Sequence, residues 1–152
     1  MTNEIIEVLK QIDLSGKVLD VGSLDVNGNI RELCGDYTGI DIMAGPNVDV
    51  VIEENIFPFE NNYFDVVLCL NTLEHDKKFW RTLSEMWLVL KPGGILFIEV
   101  PNFHYKTIHN HPADYYRFSE EALRQMFIGF QNVTIGTIPG RTDLIYGYGT
   151  KA

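Results

Sequence analysis

Residues 64–71, Phe-Asp-Val-Val-Leu-Cys-Leu-Asn, and residues 95–100, Ile-Leu-Phe-Ile-Glu-Val, are apolar runs of strand length. Such runs suit strands covered on both faces, because a half-exposed strand alternates apolar with polar positions. Between them Phe79, Leu83, Met86, Trp87 and Leu90 form one apolar stripe at helical spacing, which predicts a core-facing helix over about 76–90. Strand, helix and strand in that order require a parallel crossover with the helix packed on the sheet.

The same alternation extends along the chain. Ile5, Ile6, Leu9 and Ile12 predict a helix over 3–12, and residues 17–22 a first strand that ends in an acid and a glycine. A helix near 29–35 is expected to use Ile30, Leu33 and Cys34. Residues 37–42 and 48–52 read as the second and third strands, joined by only Met-Ala-Gly-Pro-Asn, too short for the usual crossover helix. Pro92-Gly93-Gly94 ends the long helix, a polar and aromatic loop spans 101–118, and Ser119 caps a helix that begins Glu120-Glu121. Residues 132–138 and 143–149 flank a Pro-Gly-Arg-Thr turn and predict an antiparallel edge hairpin. The expected architecture is an open, mostly parallel seven-stranded α/β sheet with helices on both faces, and the length fits a single domain over 1–152.

Twelve basic and twenty-one acidic residues give a net charge of −9, which repels a phosphate backbone and argues against a nucleic-acid partner. No run approaches the ~18 apolar residues of a membrane span, and the acidic, amphipathic N-terminal stretch is not a signal peptide, so a cytoplasmic location is expected. Cys34 and Cys69 form no CxxC pair and read as reduced core thiols.

In open α/β sheets ligands bind at the carboxyl ends of the strands, where strand order reverses. The first three strand ends supply the turn from Asp20 to Gly28, then Asp41-Ile42, then Glu53-Glu54. Gly22 allows a sharp turn and close ligand approach, and Asp41 is placed to accept hydrogen bonds from the two hydroxyls of a ribose. Many acids and no basic residue in this corner suit a ligand carrying a ribose and a positive charge, rather than a pyrophosphate.

The segments VLDVGS, YTGIDI, FPFENNYFDVVLCLNTLEH and LKPGGILFIEVPN, in this order, resemble the class I S-adenosylmethionine-dependent methyltransferases, particularly their type 11 methyltransferase-like domains. The resemblance implies a Rossmann-like doubly wound fold and S-adenosyl-L-methionine as cofactor. It also implies that Asp20, Gly22 and Ser23 line the methionine part, Asp41 binds the ribose and Ile42 packs on the adenine. Glu53 or Glu54, with Asn55, approaches the adenine amino group, and Asn71 sits beside the sulfonium. Leu24 stands where the family commonly has a second glycine.

The loop over 101–118 holds His104, His109, His111, Asp114, Tyr115, Tyr116 and Arg117, and is expected to act as a lid. Its residues from His111 to Leu123 also resemble a stretch of a subset of these domains. His104, Asp114, Tyr115 and Arg117 are candidate substrate contacts, and His109 or His111 a candidate general base. The alternative is an Asp114–Arg117 pair, with Tyr115, Tyr116 and Phe118 anchoring the loop. His75 is a further catalytic candidate. His109, His111 and Asp114 are ligand types for a metal, but none is expected.

The expected activity is methyl transfer to a small-molecule acceptor by direct displacement. The alternative is a non-catalytic S-adenosylmethionine-binding or scaffold domain, and a nicotinamide oxidoreductase is disfavoured by the absence of G-x-G-x-x-G. The expected oligomeric state is a monomer or a weak homodimer formed through an edge strand.

Overall fold

The computed structural model describes residues 3–26, 28–108 and 112–152. Among these, seven strands form one sheet: β1 (Lys17–Val21), β2 (Asp36–Asp41), β3 (Val50–Val51), β4 (Phe64–Leu70), β5 (Leu90–Pro101), β6 (Phe130–Ile138) and β7 (Arg141–Lys151). Three helices accompany them, α1 (Asn3–Leu9), α2 (Phe79–Val89) and α3 (Glu120–Met126). The strand order is β3-β2-β1-β4-β5-β7-β6. β1 to β5 run parallel, whereas β7 is antiparallel to both β5 and β6. The order reverses between β1 and β4, so the connections leaving their carboxyl ends diverge and open a crevice there.

Side chains alternate across the sheet, and the two faces carry two cores. Leu19, Val67, Cys69, Leu96 and Ile98 pack with Met86 and Val89 of α2 and Leu123 of α3. Val18, Val66, Leu68 and Phe97 pack with Ile5, Val8 and Leu9 of α1. Cys69 is fully buried and free, as expected, and Cys34 is free and half-buried.

The sequence misplaces several boundaries. The helix expected at 29–35 is a single 3-10 turn, Arg31–Leu33. Asp25 accepts from Gly28 N–H and from the Asn29 amide and Asn29 accepts from Arg31 N–H, which caps the turn, while the Gly35 and Asp36 N–H groups donate to the Leu14 and Gly16 carbonyls instead of back along a helix. The long helix starts at Phe79 rather than 76, after a 3-10 turn over Leu73–His75. It ends at Val89, and Pro92-Gly93-Gly94 lies inside β5, at a register shift against β4 between Phe64 and Val66, instead of forming a separate stop. The third strand shrinks to two residues. The short β2–β3 connection does lack a helix, and the C-terminal hairpin turns tightly at Pro139-Gly140, with Gly140 at φ +77°.

Candidate functional site

The corner after β1 is fastened from the side. The Tyr37 hydroxyl donates to Asp20 Oδ2 at 2.6 Å and accepts from Asn47 Nδ2 at 2.8 Å. Asn47 Nδ2 also donates to the Ser23 carbonyl, while Ser23 Oγ donates to the Asn47 carbonyl. Arg31 covers the Tyr37 ring and is held by Asn47 Oδ1 and Asp49 Oδ2, at 2.9 and 2.8 Å. The short connection over 42–49 that replaces a crossover helix thus supplies the residue that fixes the loop. Gly22 sits at φ +77°, and a Cβ there would lie 2.1 Å from Thr72 Oγ1, so no side chain fits where β1 meets the end of β4. Asp41, at the end of β2, accepts from Leu24 N–H at 3.2 Å and Met43 N–H at 3.0 Å.

A cavity of about 770 Å³ opens at the carboxyl ends of β1, β4 and β5. It brings together Asp20, Gly22, Ser23, Asn71, His75, Asp114 and Arg117 of the candidate residues. Arg117 holds Asp114 through two bonds of 2.6 and 2.8 Å, and also donates to the Tyr105 and Thr107 carbonyls. The pair of the alternative reading therefore forms, and it ties the two sides of the loop together. Phe118 is buried, as expected for an anchor, and the Tyr116 hydroxyl bonds the Lys77 carbonyl. His75 Nδ1 lies 2.9 Å from the Ala113 carbonyl.

Other candidates stand elsewhere. Asp41, Ile42, Glu53, Glu54 and Asn55 lie at or just after the ends of β2 and β3 and are not on the cavity wall. Ile42 is 54% exposed, and the Asn55 amide donates to Asp76 and Thr82. His104 and Tyr115 are exposed and also off the wall, the Tyr115 ring facing Lys77. His109 and His111 lie outside the described residues.

Two wall residues, Glu74 and Glu99, are not among the sequence candidates. Glu99 sits two positions after Phe97 and so points to the α1 side of the sheet, as Asp20 does two positions after Val18. The Asn71 amide donates to Glu99 Oε1. Glu74 Oε1 stands 3.7 Å from His75 Nε2. The one available signal was the acid in the otherwise apolar run Ile-Leu-Phe-Ile-Glu-Val.

Burial pushes the carboxyl of Asp20 up to about 7, of Glu74 to about 8 and of Glu99 to about 7. The folded protein therefore holds more protons than the unfolded chain between the ordinary carboxylate range near ~4 and about 8. Stability falls as pH rises through that window. The melting temperature is expected to be higher at pH 5.5 than at pH 8.5 by ~5 °C, or about 2 kcal/mol. Thermal denaturation across this range, with the double variant Glu74→Gln/Glu99→Gln flattening the slope, checks it.

Residues 9–98 match the family model described as a methyltransferase domain. An uncharacterised protein of Methanocaldococcus jannaschii is 44% identical over 45 residues, which is 30% of this chain and 20% of that protein. Among solved structures, the fold is similar to the Burkholderia thailandensis 1,6-didemethyltoxoflavin-N1-methyltransferase with bound 1,6-didemethyltoxoflavin and S-adenosylhomocysteine. The TM-score is 0.77 at 17% identity, over 98% of this chain and 76% of that one. It is also similar to Haemonchus contortus phosphoethanolamine N-methyltransferase 2, in complex with phosphomonomethylethanolamine and S-adenosylhomocysteine. There the TM-score is 0.76 at 16% identity, over 98% of this chain and 53% of that one.

Proposed function

The chain belongs to the methyltransferase domain family, and on that premise we propose that it transfers a methyl group from S-adenosyl-L-methionine to a small-molecule acceptor. The observation that carries the reading is the corner itself: the Gly22 turn on the cavity wall, a strand-end acid at Asp41 and a cavity rich in carboxylates. The arginines at the corner and on the cavity wall are held by acids, Arg31 by Asp49, Arg117 by Asp114 and Arg141 by Asp143, which disfavours a pyrophosphate. These residues fit a ligand with a ribose and a sulfonium. When bound, that ligand supplies a methyl group on positively charged sulfur.

The chain's own residues bind and align. Asp41 holds the ribose hydroxyls while its bonds to Leu24 and Met43 keep it rigid. Ile42, with Glu53 or Glu54 and Asn55, borders the adenine. Asp20, Gly22 and Ser23 border the methionine part, with Asn71 beside the sulfur. The Arg117–Asp114 clasp holds the loop over the acceptor and limits water. His75 is the proposed proton carrier within the cavity, His109 or His111 serves from the loop, and His104 and Tyr115 meet a larger acceptor at the outer edge. Displacement at a methyl carbon depends mainly on proximity and in-line orientation, so a rigid pocket supplies most of what is needed.

The 152 residues act as one domain, as a monomer or weak dimer, in the cytoplasm. Among the described residues no helix is long and apolar enough to cross a membrane.

Calorimetric titration tests the reading. S-adenosylhomocysteine is expected to bind with a micromolar-range Kd, and NAD to bind at least ~100-fold more weakly. Equal binding of both, or of neither, overturns it. Binding without turnover on any acceptor would favour a non-catalytic domain.

A further inference from the structure

Resting on the methyltransferase reading, we infer that the methyl acceptor is a cationic amine, whose ammonium group is received by Glu74 and Glu99. The two side chains line the same cavity wall and are 5% and 3% exposed. Each holds one carboxylate oxygen, Oε2, that has no hydrogen-bond partner. A buried acceptor oxygen left unmade costs free energy, and a fold keeps two of them at one cavity only with something to offset that cost. Three N–H donors on one small positive charge would satisfy both oxygens at once.

The surrounding charges leave this demand open. Arg117 is engaged by Asp114 and Arg141 by Asp143, at 2.6 and 2.9 Å. His75 faces Glu74 Oε1, the oxygen other than the orphan. Asp20, the third buried acid of the wall, already accepts from Tyr37. Among the described residues no cluster of His, Cys, Asp or Glu has a metal-holding arrangement.

Strand order sets Glu99 across β4 from the residues proposed for the ribose. Asp41 and Gly22 belong to β2 and to the end of β1, whereas Glu99 lies on β5, beyond β4, under the Arg117 clasp. The far side of the crevice is where the second substrate must enter. There, one carboxylate accepts a proton from the ammonium nitrogen, leaving a neutral amine whose lone pair is free to attack. The bound ammonium holds both carboxyls ionised, and burial, by raising their affinity for a proton, assists that transfer.

The test uses matched probes that differ only in charge: n-butylamine, phenethylamine and putrescine against 1-butanol, 2-phenylethanol and 1,4-butanediol. Each is titrated into the protein saturated with S-adenosylhomocysteine, with the Asn71 side-chain amide signal followed by NMR, because that amide donates to Glu99. At least one amine is expected to bind tenfold or more tightly than its alcohol and to shift the Asn71 signal. Glu99→Gln and Glu74→Gln are each expected to weaken it tenfold or more, leaving S-adenosylhomocysteine affinity unchanged. Amines that bind no better than alcohols, or that bind the variants as well as the wild type, overturn the inference while the cofactor reading stands. Failure of S-adenosylhomocysteine itself to bind overturns both. Glutamine keeps the size and the Asn71 bond, so loss of folding is not expected to obscure the result.

Discussion

Replacing Asp41 with alanine is expected to weaken S-adenosylhomocysteine binding by about 100-fold, or ~2.7 kcal/mol. The carboxylate ends β2 with its two oxygens held by the Leu24 and Met43 amides, at 3.2 and 3.0 Å. Those bonds cost the ligand nothing, since they are made before it arrives, and each oxygen keeps a further lone pair for a ribose hydroxyl. Hydrogen bonds to an ionised acceptor are the strong ones, and two of them on a preordered group account for the size of the effect. Asp41→Asn separates the parts: it retains an acceptor for the loop but loses the charge, so about tenfold weaker binding is expected. Titration calorimetry on both variants, with folding checked by circular dichroism, gives the answer. Wild-type affinity in Asp41→Ala would place the ribose elsewhere.

Lys151→Met is the second large effect, and it concerns stability. Lys151 is 8% exposed at the end of β7, and its ammonium donates to the Trp87 and Leu90 carbonyls, both at 2.6 Å, and to Asn62 Oδ1 at 3.1 Å. Trp87 and Leu90 stand at the C-terminal end of α2, where carbonyls have no partner within the helix and the helix dipole favours a cation. Methionine fills the same space without a donor and leaves those carbonyls buried and unpaired. The expected loss is about 2–4 kcal/mol, or ~10 °C in melting temperature. Chemical denaturation checks the value, and a change below ~0.5 kcal/mol would mean that water replaces the ammonium. Ligand affinity should be unchanged, because Lys151 lies away from the cavity wall.

Much of this was legible in the sequence because the signals are local. The apolar runs at 64–71 and 95–100 and the stripe from Phe79 to Leu90 are periodicities within a dozen residues, and they define β4, α2 and β5. The missing helix between β2 and β3 follows from a connection too short to cross over through a helix. The Asp114–Arg117 pair follows from spacing and charge within four positions.

What the tertiary structure alone decided depends on groups distant in the chain. Residues 29–35 have an apolar pattern that permits a helix, but the Gly35 and Asp36 N–H groups donate to the Leu14 and Gly16 carbonyls, and only a 3-10 turn remains. Asn47 reads as a turn residue and becomes the fastener of Ser23 and Tyr37 through pairings that only the sheet brings close. Glu74 and Glu99 come to one cavity wall because β4 and β5 are neighbours, and Lys151 reaches α2 because β7 pairs with β5. Local pattern and turn chemistry determined which elements form and that an acid ends β2. Burial is a property of the assembled molecule, so which acids lose their water and which carbonyls lose their partners was settled only when the sheet closed over them.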